Sequence, residues 1–129
     1  MATVHVELVS VERLIWSGEA TIVIARTTEG ELGVLPGHTP LLGQLADDGT
    51  VTIRREGGDD LVVAAHGGFL SVTEDGVSIL AELAEVSTEI DVDRARAALE
   101  RARAAGDDPD ARQAELRAMS RLRAVGEPV

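Results

Sequence analysis

The spacing of apolar residues changes its period near residue 90, and this change constrains the fold more than any other feature. Before it, apolar residues alternate with polar ones in short runs, as at Val4, Val6 and Leu8, which is the period of a half-buried strand. After it, they recur at spacings of three and four, which is the period of an amphipathic helix. The sequence therefore predicts two domains, a β domain at residues 1–87 and a helical domain at residues 88–129.

Turn-forming residues interrupt the first part of the chain at regular intervals. Aromatic residues make up only 2% of the sequence, so valine, isoleucine, leucine and alanine have to build the core. Short strands separated by frequent turns are typical of a sandwich, and we expect an antiparallel β-sandwich of about ten strands. The predicted breaks and turns are Ser17-Gly18, Pro36-Gly37, Asp47-Asp48-Gly49, Gly57-Gly58-Asp59, Gly67-Gly68 and Asp75-Gly76.

Helix signals mark both ends of two predicted helices in the second part of the chain. Asp91 is suited to cap a helix over about residues 91–105, and Gly106 is suited to end it. Asp108 and Pro109 then supply the cap and the first position of a second helix. The short connection predicts an antiparallel two-helix hairpin. Because its apolar stripe is rich in alanine and buries little area, we expect the hairpin to be held weakly on the sandwich and to be able to come away.

The net charge of −11 lies entirely on the first part of the chain. All twelve basic residues are arginines; four of them and 15 acidic residues precede Asp91, whereas the remainder carries eight of each. An acidic surface does not attract phosphates or anionic headgroups, so nucleic acid and anionic lipid are excluded as direct partners. We expect a basic protein surface as the partner instead.

Several kinds of chemistry have no support in the residues. The chain has no cysteine, and His5, His38 and His66 lack the close spacing of common metal sites, so we predict no metal. It has no lysine for a phosphate-binding loop and no Gly-x-Ser-x-Gly elbow, so we expect no catalysis by this chain alone. Without a signal peptide or a run of about 18 apolar residues, we expect a soluble protein with no direct membrane insertion.

Residues 30–45 are rich in glycine and proline and cannot form one regular element. Pro36-Gly37 is suited to a type II turn, so from the residues alone this stretch is interpreted as a β-corner. Its order, Gly-x-Leu-Gly-Val-Leu-Pro-Gly-His-x-Pro, also closely resembles the signature of the epsilon subunit of F-type ATP synthases. The resemblance covers nearly the whole chain, from the sandwich to the two helices.

This resemblance implies a rotor subunit in the central stalk of a bacterial, proton-translocating ATP synthase. Such a subunit binds the gamma subunit, rests on the c-ring, couples proton flow to ATP synthesis, and restrains ATP hydrolysis when its hairpin extends toward the alpha and beta subunits. The catalytic sites would lie on other subunits, at the cytoplasmic face of the cell membrane. In the family, the loop around this motif faces the ring, which implies ring contacts by Glu29, Glu31 and His38.

A second motif, Ile90-Asp91-Val92-Asp93-Arg94-Ala95, opens the first predicted helix. From the residues alone, Asp91 caps the helix and Arg94 is solvated. The motif also resembles the Ile/Leu-Asp-x-x-Arg-Ala sequence through which some bacterial epsilon subunits bind ATP. The resemblance implies a regulatory ATP site with no required cofactor. Adenine and ribose would be held by Ile90, Asp91, Arg94 and Ala95, and phosphate by Arg101, Arg117 and Arg121.

Two alternatives from other classes remain open at this stage. A free-standing ATP-sensing module would use the same Asp91 and Arg94 without any rotor. A small β-sandwich enzyme would need a pocket with convergent polar groups.

Overall fold

The computed structural model describes residues 2–129. Seven strands are followed by a 3-10 turn, Ser87–Glu89, and by two helices, α1 (Val92–Ala104) and α2 (Pro109–Ala124). The predicted order of a β domain followed by a helical hairpin is confirmed, with seven strands where about ten were predicted. The strands are β1 (Val4–Ser10), β2 (Leu14–Thr27), β3 (Gly30–Val34), β4 (Leu41–Gln44), β5 (Gly49–Arg55), β6 (Asp60–Thr73) and β7 (Gly76–Val86).

There are fewer strands than predicted because β2 and β6 each continue through a predicted break. In β6, Gly67 and Gly68 lie inside the strand and not in a turn between two strands. Their φ angles are 69° and 103°, which glycine adopts without steric cost. The alternation of side chains reverses at this pair, so that Ala65 before it and Leu70 after it both point into the core. One long strand thereby contributes to the core on both sides of a bend.

The strand pairings close into a ring. β1 pairs with both β2 and β7, and β7 is connected back to β2 through β6 and β5. The β1–β7 pairing is parallel, and the other pairings in the ring are antiparallel. β3 and β4 pair outside the ring, with β2 and β6. The enclosed core is aliphatic, and its largest fully buried side chains include Leu8, Ile53, Leu70 and Ile79.

The helix signals predicted from the sequence act as expected. The Asp91 side chain accepts a hydrogen bond from the Arg94 backbone N–H at 3.1 Å, which caps α1. Asp108 caps α2 in the same way, and Pro109 occupies its first position. The end of α1 faces the start of α2, where Arg103 pairs with Glu115, so the helices are antiparallel. Neither helix within residues 2–129 is long and apolar enough to span a membrane.

The hairpin has its own small apolar cluster, separate from the core of the β domain. This cluster consists of Ala95, Leu99, Ala118 and Leu122, and no strand residue belongs to it within residues 2–129. α2 docks on β5 and β6 through other side chains. The buried Ser120 hydroxyl donates to the Gly49 backbone oxygen, and Ala124 is buried nearby on the same helix. Small and polar side chains therefore form the contact between hairpin and β domain.

Candidate functional site

A cleft of about 510 Å³ opens between α1, α2 and the end of β7. Its volume is within the usual range of small-molecule sites. Six of the seven residues predicted for an ATP site line it, and Ile90 does not, although that residue directly precedes the cap of α1. The lining residues are Glu85, Glu89, Asp91, Arg94, Ala95, Ala98, Arg101, Ala114, Arg117 and Arg121.

Helical spacing explains how the cleft arises. Arg94 and Arg101 are seven residues apart and lie on one face of α1, and Arg117 and Arg121 are four apart on one face of α2. The antiparallel hairpin sets these two faces opposite each other. Alanines at positions 95, 98 and 114 leave space between them, because a methyl group fills little volume. The result is a cleft with arginines around a floor of small side chains.

The carboxylates around the cleft are already engaged. Arg121 Nε donates to Glu85 Oε1 at 2.5 Å, and Arg13 Nη2 donates to Glu89 Oε1 at 2.8 Å. The bond from Arg13 is the main reason that the pKa of Glu89 lies below its usual value. Asp91 is occupied in capping α1. The acidic residues therefore leave most of the arginine charge in the cleft uncompensated.

Three arginines of the cleft make no ion pair within residues 2–129, namely Arg94, Arg101 and Arg117. Guanidinium groups bind phosphate oxygens through charge-assisted, often bidentate hydrogen bonds. Three such guanidinium groups around one concave space form a suitable site for a polyphosphate. Within the same residues, no group of three histidine or acidic side chains is arranged to hold a metal ion.

The residues predicted to face a rotor ring do not line the cleft; they lie around the β2–β3 turn and the Pro36-Gly37 turn. Glu29 is in the turn between β2 and β3, Glu31 is in β3, and both are exposed. His38 follows the predicted type II turn, in which the His38 N–H donates to the Leu35 oxygen at 3.1 Å. His38 lines a second groove together with His5, whereas neither glutamate lines it. The structure thus brings His38 to a groove and leaves the two carboxylates in solvent.

An apolar patch on the outer surface of β4, β6 and β7 was not predicted from the sequence. We name it the apolar face and define it by Leu42, Phe69 and Leu80, which are 73%, 53% and 52% exposed. Phe69 is paired directly with Leu80 across β6 and β7. The sequence held one signal for it, because Phe69 is the single phenylalanine and follows Gly67-Gly68, where the side-chain alternation reverses. Exposed apolar patches of this kind mark protein interaction surfaces.

The fold and the cleft define a class of protein, a closed β body with a separately packed helical hairpin whose two helices enclose an arginine-lined cleft. Comparison with known families identifies the class: residues 3–87 match the family described as "ATP synthase, Delta/Epsilon chain, beta-sandwich domain", and the chain belongs to it. The β-sandwich prediction and the resemblance to the epsilon subunit are both confirmed.

Named relatives agree with this assignment over almost the full chain. An ATP synthase epsilon chain from Streptomyces avermitilis is 56% identical over 124 residues, which are 96% of each chain. One from Mycobacterium avium is 56% identical over 126 residues, which are 98% of each chain.

Solved structures show the same fold. A chain in the Euglena gracilis mitochondrial ATP synthase, a structure of OSCP, F1 and c-ring, matches with a TM-score of 0.80 and 31% identity, covering 98% of this chain and 81% of that one. A chain in the central stalk and c-ring structure from Tetrahymena thermophila matches with a TM-score of 0.59 at 15% identity, covering 94% of this chain and 95% of that one, which shows the shared fold alone.

Proposed function

We propose that this chain is a non-catalytic rotor subunit of a bacterial ATP synthase, with residues 1–87 as the binding domain and residues 88–129 as a regulatory hairpin. The binding domain holds the gamma subunit and rests on the c-ring, and so helps to couple proton flow to ATP synthesis at the cytoplasmic face of the membrane. The hairpin restrains ATP hydrolysis when it leaves the sandwich and extends toward the alpha and beta subunits. The single observation that carries this proposal is the separate apolar cluster of the hairpin.

The energetics of docking favour a hairpin that can move. Its apolar cluster stays inside the hairpin, so undocking does not have to open it. The docking contact itself consists of one buried hydroxyl, small side chains and part-exposed ion pairs. Ion pairs with solvent access contribute only about 0 to 1 kcal/mol each, and alanine buries little area at about 25 cal/mol per Å². Competing contacts in a complex can therefore replace the docked state.

The apolar face is the surface that we assign to gamma. Apolar burial supplies most of the free energy of protein association, and large aromatic side chains are frequent anchors. Phe69 and Leu80 stand side by side on rigid strands, which keeps them ready for binding without ordering a loop. Exposed Glu29 and Glu31, together with His38 in its groove, then contact basic groups of the c-ring and set the orientation of the subunit on the ring.

Binding of ATP in the cleft is the second proposed function, and it is favoured by the three unpaired arginines. Arg94, Asp91 and Ala95 would hold the nucleoside end, and Arg101 and Arg117 the phosphates, with Arg121 joining after release from Glu85. Because the arginines come from both helices, a bound polyphosphate would hold α1 and α2 together. Ligand binding to one state stabilises that state by mass action, so ATP would favour the compact hairpin. A free-standing ATP sensor would share this cleft and differ in having no affinity for gamma.

The test of the proposed function is co-purification of this chain with its gamma subunit. We expect a stable pair, and we expect Phe69→Ser to weaken it because a polar group would replace the centre of the apolar face. Val129→Ser is the control, since Val129 is 39% exposed and follows α2, outside the apolar face. A chain that fails to bind gamma at all would contradict the proposal. Equal effects of both substitutions would show that gamma binds a surface other than the apolar face.

A further inference from the structure

His66 is a buried titratable residue that the proposed function does not use. Its side chain is 5% exposed, and neither ring nitrogen has a hydrogen-bond partner within residues 2–129. Buried polar groups without partners are uncommon, because losing water without replacement costs free energy. An imidazole in this setting either only fills space in the packing, or its protonation state affects the structure around it.

The position of His66 connects it to the movable helix. Ala65 points into the sandwich core, so its neighbour His66 points to the opposite side of β6. There α2 packs on β6 and shields it from water. The imidazole is therefore buried by the hairpin, and a hairpin that leaves the sandwich exposes it to solvent.

Charged groups from three elements act on this imidazole. α2 contributes Arg121 and Arg117, whose positive charges oppose protonation. β7 contributes Glu85, and the loop before β5 contributes the backbone of Asp47; both act in the opposite direction. The Glu85 carboxylate is already bonded to Arg121, which limits what it offers to His66. A protonated His66 ring would consequently be repelled by the two arginines of the docked α2.

We infer that His66 is a proton-sensitive release for the hairpin: the neutral ring is compatible with docked α2, and the protonated ring drives α2 off the sandwich. This inference rests on the proposed function, since it requires a hairpin that can leave the β domain. A protonated imidazole carries two N–H donors. In the docked state neither donor meets an acceptor with hydrogen-bond geometry within residues 2–129; the Asp47 backbone lies near enough to favour the proton but does not complete such a bond, whereas water supplies acceptors once α2 has moved.

The direction of the pH effect follows from the two states. In the docked state, burial first and then the charge of Arg121 lower the pKa of His66 to about 4. In the undocked state the pKa returns toward its ordinary value of 6.5. The undocked form therefore binds the proton more tightly, and docking weakens as the pH falls from about 6.5 toward 4. Between about pH 7.5 and 5.5, the ratio of undocked to docked hairpin should rise roughly tenfold.

The test measures this ratio on the full chain, which has no cysteine of its own. Cysteines introduced at two exposed positions, Glu56→Cys on the sandwich and Asp107→Cys at the tip of the hairpin, carry spin labels for distance measurement by pulsed EPR. The expected result is the tenfold rise on acidification in the otherwise unchanged chain and a flat response in His66→Gln. The control is His5→Gln, which removes an exposed imidazole of β1 and should behave like the unchanged chain.

Several outcomes would overturn the inference. A His66→Gln chain that keeps the full pH response would show that another group is responsible. A hairpin that undocks to the same extent at both pH values would overturn this inference and leave the proposed function standing. A hairpin that stays docked under every condition would overturn both.

A second measurement does not depend on the variant folding. The ring protons of His66 can be followed by NMR in the unchanged chain during the same titration. We expect the ring to take up its proton together with the loss of the docked distance. A ring that titrates at its ordinary pKa of 6.5 while α2 remains docked would overturn the inference.

Discussion

Arg123 donates from Nη1 to both the backbone oxygen and the carboxylate of Asp48, at 2.9 and 2.6 Å. This contact joins the last turn of α2 to the residue before β5. Burial alone would raise the pKa of Asp48, but the hydrogen bond and charge of Arg123, together with the charge of Arg26, lower it below its usual value. Asp48 is therefore ionised at neutral pH, and docking of the hairpin depends on a charged contact.

Removing this contact should loosen the hairpin. We expect Arg123→Ala to raise the ratio of undocked to docked hairpin roughly fivefold, since an ion pair with solvent access contributes up to about 1 kcal/mol. Pulsed EPR between labels on the sandwich and the hairpin tip measures the ratio. Arg112→Ala is the matched control, because Arg112 lies on the same helix and pairs only with Glu115 among the described residues. Equal ratios in the two variants would show that Arg123 does not hold the hairpin.

Nucleotide affinity should depend on Arg94 through its side chain. The cap of α1 uses the backbone N–H of Arg94, so Arg94→Ala keeps the cap while removing the guanidinium. We expect ATP affinity, measured by calorimetry on the full chain, to fall by about tenfold, the effect of one lost charge-assisted hydrogen bond. Arg112→Ala, outside the cleft, should bind ATP as before. Unchanged affinity in Arg94→Ala would leave Arg94 as a solvated helix residue.

Gly68 should be intolerant of any side chain. A Cβ at this position would lie 1.9 Å from the Leu80 backbone oxygen, and the φ angle of 103° is unfavourable for other residues. We expect Gly68→Ala to lower the free energy of unfolding by about 3 kcal/mol or more, measured by denaturant titration. Gly57→Ala is the control, because a Cβ on Gly57 would point into open space and its effect should stay within about 0.5 kcal/mol. Similar stabilities for both variants would contradict the close approach of β6 and β7.

In the complete ATP synthase, a chain ending after Ser87 should still assemble and should allow faster ATP hydrolysis. Assembly is expected to survive because Leu42, Phe69 and Leu80 all precede that point, whereas the proposed restraint is removed with the hairpin. Subunit composition and ATP hydrolysis of the purified complex are the two measurements. The full-length Arg112→Ala chain is the control. Unchanged hydrolysis in an intact complex would show that the hairpin does not restrain the enzyme.

Local signals in the sequence predicted local structure well. Asp91, Asp108 and Pro109 act within one helical turn, and the turn at Pro36-Gly37 is specified by its own residues. The spacing of Arg94 and Arg101 likewise places them on one face of a helix whatever the rest of the chain does.

Features that depend on distant parts of the chain could not be predicted in the same way. Gly67-Gly68 is a strong turn signal, and it becomes a bend inside β6 because Gly68 packs against Leu80 in another strand. From the sequence, His66 could be judged only by its spacing to the other histidines, which predicted no metal site. Its burial depends on α2, more than forty residues later in the chain. Ile90 likewise lies outside the cleft, because it is an extended residue before the cap of α1 and helical spacing does not set its direction.

The ring of strand pairings has a mechanical consequence for the proposed rotor role. In an open sheet, a pull on an edge strand breaks its hydrogen bonds one after another, starting from the free side. In this chain β1 is bonded on both sides, to β2 and β7, so peeling it away requires shearing two rows of bonds at once. A force applied across the strands is thus shared by all the pairings of the ring, and the β body resists distortion.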